Sequence, residues 1–570
     1  MSKTVVKSNK SSKKQSLIQL ALALLIVIML NVISLYAFSR FDLTSEKRYT
    51  LSDATKKIIT DLKDVVYIKV YLEGEFPAGF KRLRNETKEM LDEFRAYSKE
   101  NNIQYEFINP SENPDVKKRN EVYRQLTDLG LQPTNLEVKE ENGSSQQIIF
   151  PGALISFNGK QVPLQLLKSR LGASPEEMLN NSIQALEYEL ASSIKKVSSL
   201  YKSKVAFLDG HGELDSNEVK DISNALLEYY FVERKTINGK LDALDGVKGL
   251  IIAKPDSVFT EKDKFVIDQF VMRGGKVMFL IDPIFATMDS LNNSGLTVGI
   301  AQSQNLEDML FRYGVRLNNN LVQDLQAAPI PVVVGYTGNQ PQQKLFPWPF
   351  FPLIMSQNTH PIVNNLNAIK LEFASSLDTV GHEEIKKTIL LSSSDYTKLL
   401  NAPVRISVNM LQNKPDIRQY AKKQQPLAAL LEGTFTSIYK NRLSAKITDS
   451  KDINFKEKSN FNRMIVIADG DVIRSERNKS TGQMYPLGYD RFTNQQYGNK
   501  NFILNCVNYL MDDSGLITVR SRELKLRLLD RERIKTEKGK WQVIAVSLPL
   551  LSIVLLGAYR YFARKRKYTK

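Results

Sequence analysis

The sequence predicts an α/β protein held between two transmembrane helices. Three observations predict it. Strands alternate with amphipathic helices from residue 65 onward, first in a small βαβ unit and again from residue 204. The strands of the second stretch are short apolar runs, the pattern of a mostly parallel sheet covered on both faces. Each end of the chain carries an apolar run of 22 residues, 17–38 and 541–562.

Residues 1–16 are a basic tail with five lysines, Lys3, Lys7, Lys10, Lys13 and Lys14, and no acid. The run 17–38, LIQLALALLIVIMLNVISLYAF, has no charge. As a helix it extends about 33 Å, enough to cross roughly 30 Å of hydrocarbon. A cleavable signal has a shorter apolar core and a small-residue cleavage site. The sequence LYAFSRFD offers a poor site, so the run reads as an uncleaved anchor, transmembrane helix 1.

Residues 40–165 read as a small α/β domain. Ser52 is placed to cap a helix, with Asp53 in its first turn. VVYIKVYLE, 65–73, alternates and is rich in strand formers. Leu83, Met90, Leu91 and Phe94 then fall at helical spacing within 80–101, and IQYEFINP, 103–110, is a second strand. One βαβ unit requires these two strands to be parallel. Residues 175–200 hold a connecting helix with the stripe Met178, Ile183, Leu186, Leu190 and Ile194 and with Pro175 at its start.

Residues 201–515 read as the second domain. It opens with the strand KVAFLDG, 204–210. A helix around 216–229, a strand at FVERKTI and the strand GVKGLIIAKP, 246–255, follow. Thr260 caps the next helix, Gly274-Gly275 ends it, and KVMFLIDP, 276–283, is the next strand. Residues 294–460 read as an insertion without a clear pattern; prolines in LFPWPFFPLI, 345–354, preclude a regular helix there. RMIVIADGDVI, 463–473, is a further buried strand with a turn, and 498–513 is a closing helix.

Residues 516–540 are membrane-proximal. The run 541–562, transmembrane helix 2, places Trp541, Tyr559 and Tyr561 at interfacial positions and contains Pro549, which membrane helices tolerate. Residues 563–570 are a second basic tail containing RKRK. Basic flanks put both termini in the cytoplasm and residues 40–540 in the periplasm of a bacterial inner membrane. Arg531, Arg533, Lys535, Lys538 and Lys540, which precede the second run, make its own orientation signal less decisive.

A chain of 570 residues is too long for one core and predicts three or four domains. Its net charge is +17, but residues 1–16 and those after 559 together hold eleven basic residues and no acid, which leaves the rest only about +6. No basic cluster interleaved with aromatics is present, so nucleic acid is not the expected partner. The single cysteine, Cys506, excludes an internal disulfide and lies in an apolar helix, where core packing is the simpler reading. Three histidines, His211, His360 and His382, supply little for a histidine-rich metal centre.

FLDGHGEL, 207–214, carries the densest chemistry. Asp209, His211 and Glu213 are two apart, and in extended backbone such residues point the same way. They lie at the carboxyl end of a predicted parallel strand, where α/β sites gather. Two readings stay open: a glycine-dependent strand-to-helix turn, and a cluster that contacts a ligand or partner. One histidine with two carboxylates also suits zinc or iron, though no second histidine or cysteine lies nearby. Asp469 and Asp471 flank Gly470 and read as a tight turn, with cation binding as the alternative. PWPFFP, 347–352, reads either as aromatics packed under the sheet or as a recognition surface. No phosphate-cradling loop, dinucleotide fingerprint or nucleophile elbow is present.

Several stretches together carry a family resemblance. They include RFDLTSEKRYTLSDATKKI after the first apolar run, VYLEGEFPAGFKRL, NNSIQALEYELASSI and FLDGHGE. DPIFATMD, WPFFPLI, EGTFTSIY, VIADGDVIR, YPLGYDRFTNQQYGNKNFILNCVNYLMDDSGLI and LRLLDRERI add to them. The chain resembles, over nearly its whole length, the gliding-motility-associated ABC transporter protein G family of Bacteroidetes, a substrate-binding or auxiliary component with an ABC-type transport auxiliary domain. The resemblance implies a glutamine-amidotransferase-like parallel sheet in the middle of the chain. That fold's enzymes use a cysteine on an elbow, and none stands on one here, so the resemblance implies the scaffold without the reaction.

The expected function is therefore a non-enzymatic, membrane-anchored periplasmic subunit of an ABC-type complex, associated with gliding motility. Its expected partners are a permease subunit and an ATP-binding subunit on separate chains, and membrane lipid through two spans. No cofactor and no metal are expected. A structural scaffold of an envelope machine and a membrane-tethered hydrolase or metal enzyme built on Asp209, His211 and Glu213 are the alternatives.

Overall fold

A computed structural model describes residues 10–36, 50–140, 143–168, 173–199, 201–289, 291, 295–338, 340–355, 358–381, 384–478, 481–521 and 531–568. The chain divides into two compact units, Met1–Thr50 and Leu51–Lys570. In the first, helix α1 (Lys10–Tyr36) contains the expected anchor except residues 37 and 38, which lie outside the described residues. Its described apolar stretch, Leu17–Met29, is helical and solvent-exposed, and is shorter than a membrane span.

The second unit begins with helix α2 (Asp53–Thr60), capped as expected by the Ser52 hydroxyl, which accepts the Thr55 N–H at 3.2 Å. Strand β1 (Val66–Val70), helix α3 (Ala78–Tyr97) and strand β2 (Ile103–Phe107) form the βαβ unit, with Val66 opposite Ile103 in a parallel pair. Helix α4 (Val116–Asp128) and a hairpin of β3 (Thr134–Glu140) and β4 (Gly143–Ile149) intervene. Strands β5 (Gly152–Phe157) and β6 (Lys160–Gln165) complete a sheet of order β2-β1-β5-β6. Their two-residue turn, Asn158-Gly159, takes φ +47° and +76°, the pair of positive values that a tight hairpin matching strand twist requires.

Helix α5 (Pro175–Ser198) follows, with Ser174 as its cap and Pro175 at its first turn. Ile183, Leu186, Leu190 and Ile194 are buried along it, as their spacing predicts, and the helix contacts both α3 and β6.

A seven-stranded sheet follows in the same unit. Its first four strands are β7 (Lys204–Asp209), β8 (Phe231–Thr236), β9 (Val247–Ala253) and β10 (Lys276–Leu280). Helices α6 (Lys220–Leu227) and α7 (Glu261–Met272) connect them. The fifth parallel strand, Lys458–Ile467, pairs with β10. In chain order these five run 2-1-3-4-5 across the sheet, a doubly wound arrangement. Pro426–Thr436 pairs antiparallel with Lys458–Ile467, and Ile385–Ser392 pairs antiparallel with Pro426–Thr436 in turn, extending that edge. Residues 294–460 thus supply two strands of the central sheet. The architecture is mixed α/β, with Pro426–Thr436 the one strand of this sheet that runs against the others.

The rest of that region is also β-structure. The strands Ala327–Thr337 and Gln340–Ile354 form a long hairpin, and the second of them contains the aromatic-proline stretch. Prolines fit there because over most of its length the strand has only one sheet neighbour. Trp348, Phe350 and Phe351 are buried with Phe373, Ile284 and Ile406 in a core of their own, so the stretch packs inward. Cys506 is fully buried in the closing helix Asn499–Met511, and burial pushes its thiol well above the ordinary range. The final helix, Arg531–Tyr568, contains a stretch, Thr536–Arg566, long and apolar enough to cross a membrane and unburied throughout.

Candidate functional site

In a 2-1-3-4-5 sheet the strand order reverses between the first and third strands in sequence, and the crevice beyond their carboxyl ends is the expected binding place. Here those ends are the loop 210–214 after β7 and the loop 254–257 after β9. The DGHGE segment therefore lies at the switch point.

The three candidate side chains do not converge as extended backbone predicts. Strand β7 stops at Asp209, and Gly210 and Gly212 take φ +116° and +73°, so the alternation ends before His211. Asp209 turns toward β8, where it forms a two-pronged ion pair with Arg234, one prong (Nε to Oδ2) at 2.7 Å. The same guanidinium donates to the Leu214 carbonyl at 2.8 Å and ties the loop to the sheet.

His211 and Glu213 do meet. The His211 Nδ1 lies 3.2 Å from Glu213 Oε1, and its Nε2 lies 3.3 Å from Asp263 Oδ2 on α7. Its backbone N–H donates to Glu213 Oε2 at 2.7 Å. The ring stacks on Phe259 and is 6% exposed. Burial pulls the imidazole's pKa down, but the Glu213 and Asp263 carboxylates outweigh it and hold the group above its ordinary value. Burial works against ionisation of Asp263 too, yet the N–H of Gly239, the Thr260 hydroxyl and His211 keep its carboxyl below the usual range. Both ring nitrogens thus face carboxylates of the chain itself. The His211 carbonyl accepts the N–H groups of Asp256 and Ser257, each at 3.0 Å. The segment is a clasp that joins the exits of β7 and β9 to the start of α7.

A second cluster lies at the ends of β9, β10 and Lys458–Ile467. Lys254, in left-handed backbone at φ +55°, bonds Asp471 and reaches Asp282 at 3.1 Å. Burial opposes its charge, but these two acids hold its pKa above the ordinary lysine value. Arg474 contacts Asp471 at 2.9 Å and Glu372 at 3.4 Å. Lys370 joins Glu372 at 2.8 Å and Glu476 at 3.0 Å. Asp469, fully buried, accepts the N–H groups of Asp471 (2.7 Å), Val472 (3.1 Å) and Glu372 (2.7 Å). The turn reading of IADGDVI fits this geometry, and the cation that Asp471 holds is the lysine at the end of a neighbouring strand. Sequence reading missed the cluster. The available signal was position alone: Lys254, Asp282 and Asp469 each follow directly on an apolar strand.

The cluster forms one wall of a cleft of about 840 Å³. Lys370, Glu372, Arg474, Ser475 and Glu476 line that wall. Pro329, Ile330, Val333 and Phe351 of the long hairpin, with Met484, Arg491 and Phe492, also line the cleft. The loop after the clasp contributes Asp215 and Glu218. The volume suits a ligand of several hundred daltons. Among the described residues, no group of three or more histidine, cysteine or acidic side chains is placed to hold a metal ion.

The sheet domain matches the family model described as an ABC-type uncharacterized transport system, over residues 202–506. Residues 45–156 match a domain of unknown function, DUF7088. A protein of Borreliella burgdorferi called "Uncharacterized protein" is 23% identical over 569 residues, covering 98% of this chain and 99% of its own length. Among solved structures, the mmIFT52 N-terminal domain aligns over 55% of this chain and 99% of its own, at 14% identity and a TM-score of 0.30. The family model spans more than half of the chain and every strand of the central sheet, and on that ground the protein belongs to the ABC-type uncharacterized transport system family.

Proposed function

We propose that this protein is a non-catalytic, membrane-anchored accessory subunit of an ABC-type transport complex, with its folded body on the periplasmic side. Its partners are a permease and an ATP-binding subunit on other chains, and the cleft at the carboxyl ends of the central sheet is its ligand-binding recess. A role in gliding motility is the narrower form of this reading and rests on the sequence resemblance. The observation that carries the proposal is the pairing of a transport-family sheet domain with an unburied apolar helix, Thr536–Arg566, just beyond it. A soluble domain leaves no such helix face exposed to water. The full-length relative in Borreliella burgdorferi supports a shared layout from end to end. The locked ring of His211 and the buried thiol of Cys506 favour a non-catalytic role, since neither offers a free nucleophile or base.

Single cysteines at Lys451 and at Lys565, each in a Cys506→Ser chain, test the topology. In cells with a permeabilised outer membrane, an impermeant thiol reagent labels Lys451→Cys and spares Lys565→Cys. The opposite pattern refutes the periplasmic assignment.

A further inference from the structure

The charges lining the cleft are unequally satisfied. Glu372 and Glu476 are answered by Lys370 and Arg474. Asp215 accepts the N–H groups of Asn217 (2.7 Å) and Glu218 (2.9 Å), and Glu218 accepts that of Asp215 at 2.9 Å. Asp490 accepts the Phe492 N–H at 2.8 Å. Every one of these acids thus has a donor within the chain.

Two guanidiniums lack an ion-pair partner among the described residues. Arg477, which is exposed, donates through Nε to the Gly482 carbonyl at 3.3 Å and makes no ion pair among the described residues, so the buried unmet donors of the cleft are those of Arg491 and Ser475. Arg491 lies over the Phe492 ring at 4.6 Å, and its Nε is buried without an acceptor. Ser475, which is 2% exposed, turns a hydroxyl without a partner onto the same cleft. A guanidinium stays charged and offers five donors in a planar fork. A buried donor left unmet is costly, and a carboxylate matches the fork with two parallel bonds. Beside these donors lie the apolar surfaces of Met288, Ile330, Phe351 and Phe492.

We propose that the cleft binds an organic monoanion, a carboxylate carried on an apolar body, with Arg477, Arg491 and Ser475 as its anion-reading residues. The inference rests on the cleft being a ligand site and names the ligand's class. A monoanion is favoured over a phosphate dianion because six acids and four bases line the cleft. The summed field does not draw in a polyanion, and recognition is local to the unpaired guanidiniums.

Calorimetry on the full chain in lipid nanodiscs, against empty discs, tests this with 2-naphthoate, 2-naphthyl phosphate and 2-naphthol. Naphthoate is expected to bind one to one, about tenfold or more tighter than the other two, and to lose about tenfold in R477Q/R491Q, the scale of one charge-assisted bond. The melting temperature of that variant should match the parent. Naphthol binding as tightly as naphthoate, abolished by the cleft-filling Gln343→Trp but not by R477Q/R491Q, overturns the anion class and keeps the recess. Tighter binding of naphthyl phosphate overturns the monoanion. No binding, or binding that Gln343→Trp leaves unchanged, overturns the recess and the inference together.

Discussion

The imidazole of His211 lies flat against the ring of Phe259, with centroids 3.8 Å apart and planes 11° from parallel. That stack, with carboxylates at both ring nitrogens, makes His211 a fastener between two strand exits and a helix start. Its charge is favoured in the folded state, because its pKa is raised. A raised pKa adds stability that is complete below the unfolded value, about pH 6.5, and is lost as pH climbs through the higher folded value. Asp263 behaves oppositely: its lowered pKa contributes above about pH 4 and is lost on acidification. His211→Gln should therefore lower the melting temperature most at mildly acidic pH, by the equivalent of about 1–3 kcal/mol. The difference from the parent should shrink toward pH 9. Melting curves of both proteins between pH 5 and 9 check this, and a gap independent of pH would contradict it.

The glycines on either side of His211 should differ. A Cβ at Gly212 would sit 1.6 Å from Asp256 Oδ1, at φ +73°. A Cβ at Gly210 would meet open space, at φ +116°. Gly210→Ala should cost only backbone strain, about 1–2 kcal/mol, and Gly212→Ala distinctly more. Adding Asp256→Ala to Gly212→Ala should recover the difference between the two, leaving the strain. Thermal unfolding of the four proteins decides the point, with equal losses for the two glycine variants as the contrary result.

Much of the fold was legible in the residues. Ser52 and Thr260 both cap helices where their type and position suggest, because an N-cap is set by local chemistry. The alternation of β7 to β10 with α6 and α7 was readable because buried parallel strands are continuous apolar runs. The region 294–460 was not, since its strands pair at long range and its aromatic-proline strand lacks alternation. At the candidate site, the position of DGHGE at the carboxyl end of a parallel strand followed from the alternation of strands and helices, whereas its place at the switch point came only with the strand order. The directions of Asp209, His211 and Glu213 did not, because positive φ at two glycines replaces the two-residue period. Lys254, Asp282, Asp471 and Arg474 come from separate loops, and only the folded sheet brings them together.

Lys254 should be indispensable to its cluster. Replacing it with methionine leaves Asp282 and Asp471 facing one another without their shared cation. Loss of one partner from a buried ion pair costs about 3–5 kcal/mol. Lys254→Met should thus express poorly or melt much earlier, and Lys254→Met/Asp282→Asn should regain part of the loss by removing the stranded charge, since Asp471 keeps Arg474. A double variant no more stable than the single would contradict the account of the cluster.

Truncation after Ser521 removes the helix Arg531–Tyr568. If residues 17–38 are the proposed second anchor, the shortened chain should still sediment with membranes after alkaline carbonate washing. Its release into the wash would show that the C-terminal helix alone anchors the protein.

The central claim is membership of an ABC-type complex, and purification of the full chain from native membranes in mild detergent tests it most directly. An affinity tag on the body, with partners identified by mass spectrometry, should recover a multi-span permease and an ATP-binding subunit. Both should be enriched over an equally abundant control membrane protein and retained through size-exclusion chromatography. Recovery of the chain without either subunit, under conditions that keep other ABC complexes intact, would contradict the claim.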